Sequence, residues 1–228
     1  MKLTWLGHGS WRLEIEDQVL LIDPWIEGNP MMVGHDPAQA VAGAQAILVT
    51  HGHFDHTNGV ATLSAEKDLP VTAMVELEGH LAGLGAISGN GINFGGTVRF
   101  GDVSATLVPA SHSSSIGEKG FYAGEPGGFM IRGEGRTIYF SGDTGITAEM
   151  SWMGQYFAPE IGILSAGGHY TMDMAQAAWA AKTYFDFKTV IPQHYRTFDA
   201  LEQSATRLIE GLPGVQVIEP EVMIPFTL

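Results

Sequence analysis

The stretch His51-Gly52-His53-Phe54-Asp55-His56 places three imidazoles and one carboxylate within six residues. The preceding run, 46–50, is apolar and β-branched, which predicts a buried strand that ends just before these side chains. Loops at strand ends are where α/β folds place their sites. Imidazole and carboxylate ligands together suit zinc, manganese or iron. The stretch therefore predicts a transition-metal site.

This H-x-H-x-D-H motif after a hydrophobic strand resembles the ligand motif of the metallo-β-lactamase superfamily. That family has three further ligands downstream, a His, an Asp and a His, each after a strand. The chain has His112 after the segment 103–108, Asp143 after 136–140 and His194 after 188–191. Taken alone, these residues could be a solvated turn histidine, a turn aspartate and a core histidine. Their order behind the motif favours metal ligation.

The resemblance implies an α/β fold of four layers, the αββα sandwich called the metallo-β-lactamase fold, with two mixed β-sheets flanked by helices. It also implies a two-metal site at one edge. The family's order assigns three ligands to metal one, three to metal two and one bridging carboxylate: His51, His53 and His112; Asp55, His56 and His194; and Asp143. A water shared by two divalent ions is largely deprotonated near neutral pH. The resemblance thus implies a binuclear metal-dependent hydrolase that uses a metal-bridging hydroxide, with Asp55 and Asp143 as catalytic carboxylates.

The metal ions are expected to be two divalent ions per chain, with zinc favoured and manganese, nickel or iron as alternatives. Redox di-iron relatives use Glu at the position of His53, so a histidine there favours hydrolytic metals. The chain has no cysteine, which excludes disulfides, cysteine-zinc sites and thiol catalysis.

Further segments resemble a narrower branch of the superfamily, the small bacterial and archaeal metal-dependent hydrolases that are similar to the ascorbate-6-phosphate lactonase group. These segments are 3–10, 22–25, 28–30, 141–145, 167–172 and 194–198. The resemblance identifies the chemistry of the reaction better than the substrate.

Composition limits the partners. The net charge is −14 and no basic run is present, so a nucleic-acid backbone would be repelled over most of the surface. A small anionic substrate is still compatible, because two bound dications reverse the local field. We therefore expect a small-molecule substrate and no nucleic-acid partner, while a homo-oligomer is possible.

The length suits one domain, 1–228, and the apolar content of 45% suffices for a sizeable core. The first residues lead directly into an amphipathic strand rather than an apolar signal core, and no run approaches the ~20 apolar residues of a membrane span. The expected location is cytoplasmic, with no membrane partner.

Local patterns predict two strand-rich halves of the chain with interleaved helices, which fits two sheets covered by helices. The predicted strands are 2–6, 10–16, 18–23, 45–50, 70–75, 97–100, 103–109, 128–132, 136–141, 161–165, 188–192 and 215–219. The predicted helices are 56–65, 76–84, 147–156, 173–185 and 199–210. Asp173 or Thr171 is the expected N-cap of the helix 173–185.

Several other residues are candidates for the site. Asp23 ends a strand and would satisfy the free N–H of a ligating imidazole, or else cap a turn before Pro24. His8 and His169 lie between or after glycines and could donate to a substrate oxygen or protonate a leaving group. The weaker substrate contacts are Tyr170, Tyr195 and Arg196. His35 and His80 are not expected to be ligands. Whether the segment 24–44 forms a lid over the site is not decided by the sequence.

The sequence therefore predicts a hydrolase of a small ester-like substrate: a lactone, ester or phosphoester, with thioester and amide also open. One alternative is a phosphodiesterase that acts on a small nucleotide or lipid-like diester. The other is a metal-bound sensor or binding protein with vestigial catalysis.

Overall fold

The computed structural model describes residues 1–228. The first half contains β1 (Lys2–Trp5), β2 (Trp11–Ile15), β3 (Gln18–Ile22), a 3₁₀ helix (Pro30–Met32), α1 (Pro37–Val41), β4 (Ala46–Leu48), α2 (Phe54–Thr57), α3 (Val60–Lys67), β5 (Val71–Met74), α4 (Val75–Gly83), β6 (Ser88–Ile92), β7 (Thr97–Phe100) and β8 (Val103–Pro109). The second half contains β9 (Ser115–Ile116), β10 (Phe121–Tyr122), β11 (Gly127–Gly133), β12 (Arg136–Phe140), α5 (Met150–Phe157), β13 (Ile161–Ser165), α6 (Met174–Tyr184), β14 (Thr189–Gln193), α7 (Thr206–Gly211), β15 (Gln216–Val217) and β16 (Phe226–Thr227).

Two seven-stranded mixed sheets form the centre of the molecule. The first has the order β16-β1-β2-β3-β4-β5-β6, and the second has the order β15-β14-β13-β12-β11-β8-β7. β9 and β10 form a separate hairpin. The helix α4 packs on β5 and β6 of the first sheet, and α6 packs on β13 of the second. The chain thus has the expected αββα sandwich of two mixed sheets flanked by helices.

The central strands are buried on both faces because each sheet has a sheet on one side and helices on the other. β4, β13 and β14 consist entirely of buried residues. Trp11 in β2 donates its indole N–H to the side-chain carbonyl of Gln193 in β14, at 2.8 Å. This buried hydrogen bond joins the two sheets near the edge where the predicted ligands lie.

The strand directions bring distant parts of the chain to one edge. In the first sheet β1, β3 and β4 run the same way, and in the second sheet β8, β12, β13 and β14 do. The residues that follow these strands therefore meet at the carboxyl ends of both sheets. None of the helices has the length and apolar character needed to span a bilayer.

Most predicted strands are present, but two predicted helices differ. The predicted helix 56–65 is divided into α2 and α3, because Gly59 adopts a left-handed conformation (φ 78°) between them. The predicted helix 199–210 is confined to α7. The preceding residues form turns in which Gln203 donates its side-chain amide to the carbonyls of Phe198 and Leu201. The polar strand β6, the hairpin β9–β10 and the short β16 were not predicted.

The helix α6 has the N-terminus that the sequence predicts, with Asp173 as N-cap. The Asp173 carboxylate accepts from Gln176 N–H at 2.7 Å, and the Gln176 side chain accepts from Asp173 N–H at 3.1 Å. This reciprocal capping box satisfies two backbone donors that the helix itself leaves without acceptors.

We expect Asp173→Ala to lower the free energy of unfolding by about 1 kcal/mol, because the helix loses its capping acceptor. Denaturant unfolding at fixed metal content measures this loss. Asp186→Ala is the control, since Asp186 is almost fully exposed and pairs only with Lys188. Equal stability of the two variants would contradict the prediction.

Candidate metal centre

Seven imidazole and carboxylate side chains meet at the common edge of the two sheets. The first sheet supplies the segment after β4, and the second sheet supplies one residue after each of β8, β12 and β14. The residues are His51, His53, Asp55, His56, His112, Asp143 and His194. The structure therefore brings together every ligand that the resemblance implies.

Three imidazole nitrogens form the first group. The Nδ1 atom of His53 lies 3.0 Å from Nε2 of His51 and 3.2 Å from Nε2 of His112. Tetrahedral zinc with Zn–N bonds of about 2.0–2.1 Å would hold its nitrogen ligands about 3.3 Å apart. The spacing of the three nitrogens fits a single ion of this kind.

The second group contains Asp55, His56 and His194, together with His8. The Oδ2 atom of Asp55 lies 3.8 Å from Nε2 of His56, 3.5 Å from Nε2 of His194 and 2.8 Å from Nε2 of His8. Asp55 and His56 come from the short helix α2, and His194 comes from the opposite sheet. This group is the one that the family order assigns to metal two, with one histidine added.

The Asp143 carboxylate lies between the two groups. Its Oδ2 atom is 3.6 Å from Nε2 of His112 and 3.9 Å from Nε2 of His51, on the side of the first group. On the other side it is 3.4 Å from Nε2 of His56 and 3.0 Å from Nε2 of His194. One oxygen thus faces donors of both groups.

Three atoms of the ligand residues are buried without a hydrogen-bond partner: Nε2 of His56, Oδ1 of Asp143 and Nδ1 of His194. An unpaired buried polar atom costs free energy, so such atoms require an explanation. All three belong to side chains that are strong ligands for divalent transition metals. The donor set and its unpaired atoms therefore fit bound metal ions.

Asp23 and Thr50 orient one histidine of each group by hydrogen bonds to its Nδ1 atom. The fully buried Asp23 carboxylate accepts from Thr50 N–H at 2.7 Å, from Thr50 O–H at 2.6 Å and from Nδ1–H of His56 at 2.8 Å. Since the Thr50 hydroxyl donates to Asp23, it accepts from Nδ1–H of His51, 3.0 Å away. Both imidazoles consequently carry a proton on Nδ1, so Nε2 is the nitrogen that faces the centre and that a metal would bind.

His8 is hydrogen-bonded rather than free to act on a substrate. Its Nε2 lies 2.8 Å from Oδ2 of Asp55, and its Nδ1 lies 2.8 Å from the hydroxyl of Thr197. Burial, followed by the nearby charge of His194, lowers the pKa of His8 to about 4. A neutral His8 donates Nε2–H to Asp55, so its contacts fit the positioning of that carboxylate.

The acidic and basic groups at the centre shift each other's pKa strongly. Burial alone would lower the pKa of His194, but the Asp143 carboxylate raises it to about 9. Burial likewise opposes the charged form of His56, and three carboxylates, Asp143 first, still raise its pKa above the ordinary value. Conversely, His194 and His56 hold the pKa of Asp143 well below its usual range, although burial would raise it.

The first group shifts in the other direction. Burial and the neighbouring His56 lower the pKa of His51 well below its ordinary value. Burial is also the first cause of the lowered pKa of His53 and of His112. These three histidines are therefore neutral at pH 7, the form that binds a metal.

Several of these residues have left-handed backbone conformations, which set the direction of their side chains. His8, Asp23 and His194 follow β1, β3 and β14 and have φ angles of 54°, 47° and 58°, in the left-handed region that non-glycine residues rarely adopt. Glycines make room beside them. A Cβ at Gly9 would lie 2.7 Å from the His56 ring, and a Cβ at Gly167 would lie 1.8 Å from the His194 carbonyl oxygen.

Of the other candidates from the sequence, one lines the cavity at the metal centre and three do not. Tyr170 lines the cavity of about 420 Å³ that contains the ligands, whereas the exposed His169 beside it does not. Tyr195 is 0% exposed and stacks on Trp5, so its side chain is not placed to contact a substrate. Arg196 lies over the same Trp5 ring and 3.7 Å from Glu219, away from the ligands.

The histidines not expected to be ligands lie outside the centre. His35 lines a separate surface cleft, and His80 packs against Phe121. The segment 24–44, considered as a lid, does not line the ligand-containing cavity. Its Asn29 is buried and donates to the carbonyl of Leu6.

Sequence reasoning missed Thr50 and Thr197, which orient the ligands, and two aromatic side chains at the cavity, Phe54 and Phe198. Thr50 directly precedes the ligand motif and ends a buried strand, so its position was a usable signal. Thr197 could not be found in this way, because its contact with His8 joins two remote parts of the chain.

Comparison with known proteins identifies the family. The model of the β-lactamase superfamily domain matches residues 18–195. The chain belongs to the metallo-β-lactamase superfamily. A UPF0173 metal-dependent hydrolase of Roseobacter denitrificans is 58% identical over 226 residues, which cover 99% of each chain. A second one, of Cereibacter sphaeroides, is 55% identical over the full length of both chains.

Among solved structures, the metallo hydrolase Igni18 of Ignicoccus hospitalis superposes with a TM-score of 0.83 at 30% identity. The match covers 100% of this chain and 98% of that one. The chain is thus a metal-dependent hydrolase of this superfamily, and the residues above are its candidate metal ligands.

We expect Asp23→Asn to weaken metal binding about 10- to 100-fold, because His56 loses its charged acceptor and Thr50 no longer fixes His51. Competition with a chromophoric chelator measures the affinity. Asp17→Asn, on the exposed turn after β2, is the control. A folded Asp23→Asn protein with wild-type metal affinity would contradict the role assigned to Asp23.

Metal uptake at pH 7 is expected to release protons. The raised pKa values mean that His56 and His194 hold protons there, and a metal must displace them. Metal affinity should therefore rise as the pH approaches 9, the pKa of His194. The stability of the metal-free chain should change in the opposite direction. Charged His194 stabilises the fold fully below about pH 6.5, the pKa of an unfolded histidine, and this stabilisation is lost as the pH rises through about 9.

Calorimetric titration in buffers of different ionisation enthalpy counts the released protons, and thermal melting in chelator follows the metal-free chain. Binding without proton release at pH 7 would show that the two histidines are already neutral.

Proposed function

We propose that this chain is a two-metal hydrolase that cleaves a small ester-like substrate, a lactone, ester or phosphoester, by attack of water. The observation that supports this most directly is the position of Asp143, whose Oδ2 faces His112 and His51 on one side and His56 and His194 on the other. A carboxylate between two donor sets is what a pair of metals requires.

His51, His53 and His112 would hold one ion, and Asp55, His56 and His194 the other, with Asp143 shared. Zinc is the preferred metal and manganese, nickel or iron are alternatives, since imidazole-rich sites accept all of them. Two such ions supply a water of lowered pKa and polarise the bond that is cleaved.

The chain's own side chains would prepare this chemistry. Asp55 is held by the hydrogen bond from His8, so its carboxylate keeps one orientation toward the second group. Ser113 lies at 3.2 Å from Nε2 of His53 and can fix the remaining nitrogen of that ring. With the ligands fixed before substrate binds, little reorganisation is needed during the reaction.

The partner is proposed to be a small molecule. The net charge of −14 opposes binding of a nucleic-acid backbone. The ligand-containing cavity of about 420 Å³ has the size of a small-molecule site.

A panel of substrates tests the reaction class. Protein loaded with zinc or manganese is assayed on p-nitrophenyl esters, simple lactones and bis-p-nitrophenyl phosphate, with chelated protein as the control. The proposal expects metal-dependent turnover of an ester or lactone. Turnover of the phosphodiester alone would favour a phosphodiesterase, and metal binding without any turnover would favour a sensor or binding protein.

On the best substrate, we expect Asp143→Asn to reduce kcat at least about 1,000-fold, since the variant loses the charge that would join the two metals. Elemental analysis should show reduced metal content, and circular dichroism should show the wild-type fold. Asp36→Asn is the control, because Asp36 caps the remote helix α1. Near-normal kcat in a folded Asp143→Asn protein would argue against the shared carboxylate.

A further inference from the structure

Three aromatic side chains, Phe54, Tyr170 and Phe198, stand around the candidate metal centre, and we name them the aromatic rim. All three line the cavity whose wall also includes five of the seven candidate ligands, among them His53 and Asp55. Phe54 is 66% exposed, Tyr170 57% and Phe198 37%. Large aromatic surfaces are costly to leave in water, so their concentration at a cavity with metal-ligand geometry points to a binding role.

The buried side chain of Trp25 packs against two residues of the aromatic rim. Its ring is buried and lies 5.6 Å from the ring of Phe54, edge to face, and 6.4 Å from the ring of Phe198. His8, which holds Asp55, also contacts Phe198 edge to face at 5.5 Å. Two rim residues are therefore braced against buried groups, which reduces the entropy that they lose when a ligand binds.

A second cavity continues from the first and extends the apolar surface. It has a volume of about 680 Å³ and shares His53 and Phe54 with the ligand-containing cavity. Its hydrophobic wall is formed by Phe54, Ala61, Leu81, Leu84 and Ile116. The one charged side chain on its wall is the carboxylate of Glu118, which would repel an anion.

Arg196, one of the weaker substrate contacts expected from the sequence, does not face this surface. Arg196 lines a different cleft with His35 and pairs with Glu219. A phosphate or carboxylate on the far end of a substrate would therefore meet aromatic rings and Glu118 rather than a cation.

We propose that the aromatic rim binds an uncharged apolar or aromatic group of the substrate, next to the bond that is cleaved. The preferred substrates are then neutral hydrophobic esters or lactones rather than phosphorylated sugars. This proposal rests on the proposed function, because it takes the neighbouring centre to be the reactive one.

Hydroxamic acids test the rim separately from turnover, since they bind metals through one head group and differ in their tails. The probes are acetohydroxamic acid, benzohydroxamic acid and 4-carboxybenzohydroxamic acid, titrated calorimetrically into zinc-loaded protein. We expect benzohydroxamic acid to bind about tenfold more tightly than acetohydroxamic acid, and the carboxylated probe to bind more weakly than benzohydroxamic acid.

Phe54→Ala should reduce the preference for the phenyl tail about 3- to 10-fold and leave the affinity for acetohydroxamic acid within about twofold. Phe198→Ala should act in the same direction and is available if the first variant does not fold. Tyr156→Ala is the matched control, because Tyr156 is an exposed aromatic residue on α5 outside both cavities.

The outcomes separate the two proposals. If all probes bind with equal affinity, or if both rim variants retain the wild-type preference, the rim proposal is overturned and the metal centre stands. If no probe binds zinc-loaded wild-type protein, the metal centre fails and the rim proposal fails with it. Tighter binding of the carboxylated probe would overturn the rim's preference for neutral groups.

Discussion

One buried carboxylate, Asp23, fixes the geometry on which the candidate centre depends. It accepts from Thr50 and from His56, and Thr50 in turn accepts from His51. A single anion thereby sets the proton position of one ligand in each group. Burying a charge is costly unless it is fully hydrogen-bonded, and the three donors around Asp23 meet that condition. This network holds the ligand loop in addition to the local hydrogen bonds that the Thr57 hydroxyl donates to the carbonyls of Gly52 and His53.

The sandwich makes this network possible because parallel strands end together. Ligands after β4, β8, β12 and β14 would be far apart in an extended chain, and the two sheets place them at one edge. His8, Asp23 and His194, which follow β1, β3 and β14, adopt left-handed conformations, and each side chain contacts a candidate ligand. Such conformations store strain, which the surrounding packing and hydrogen bonds offset.

Apolar runs were enough to predict most strands, whereas the four-layer sandwich and the candidate ligand set followed from the family resemblance of the H-x-H-x-D-H motif and of the single His and Asp residues after strands. The polar strand β6 could not, since its sequence Ser88-Gly-Asn-Gly-Ile92 has no apolar alternation and pairs only because β5 lies beside it. His8 was placed near the site, but the partner that occupies it, Asp55, could be known only from the assembled fold. Tyr195 was a candidate substrate contact because it follows the ligand His194, yet its ring is buried and stacks on Trp5.

The convergence of strand ends also has a kinetic consequence. The ligand groups join residues 8 to 194, so most of both sheets must be in place before the donors meet. Contacts between such remote residues form late, after the entropy of closing long loops has been lost. A metal that binds only the completed arrangement slows unfolding without accelerating folding. Metal binding would then make the completed sandwich kinetically stable without nucleating its folding.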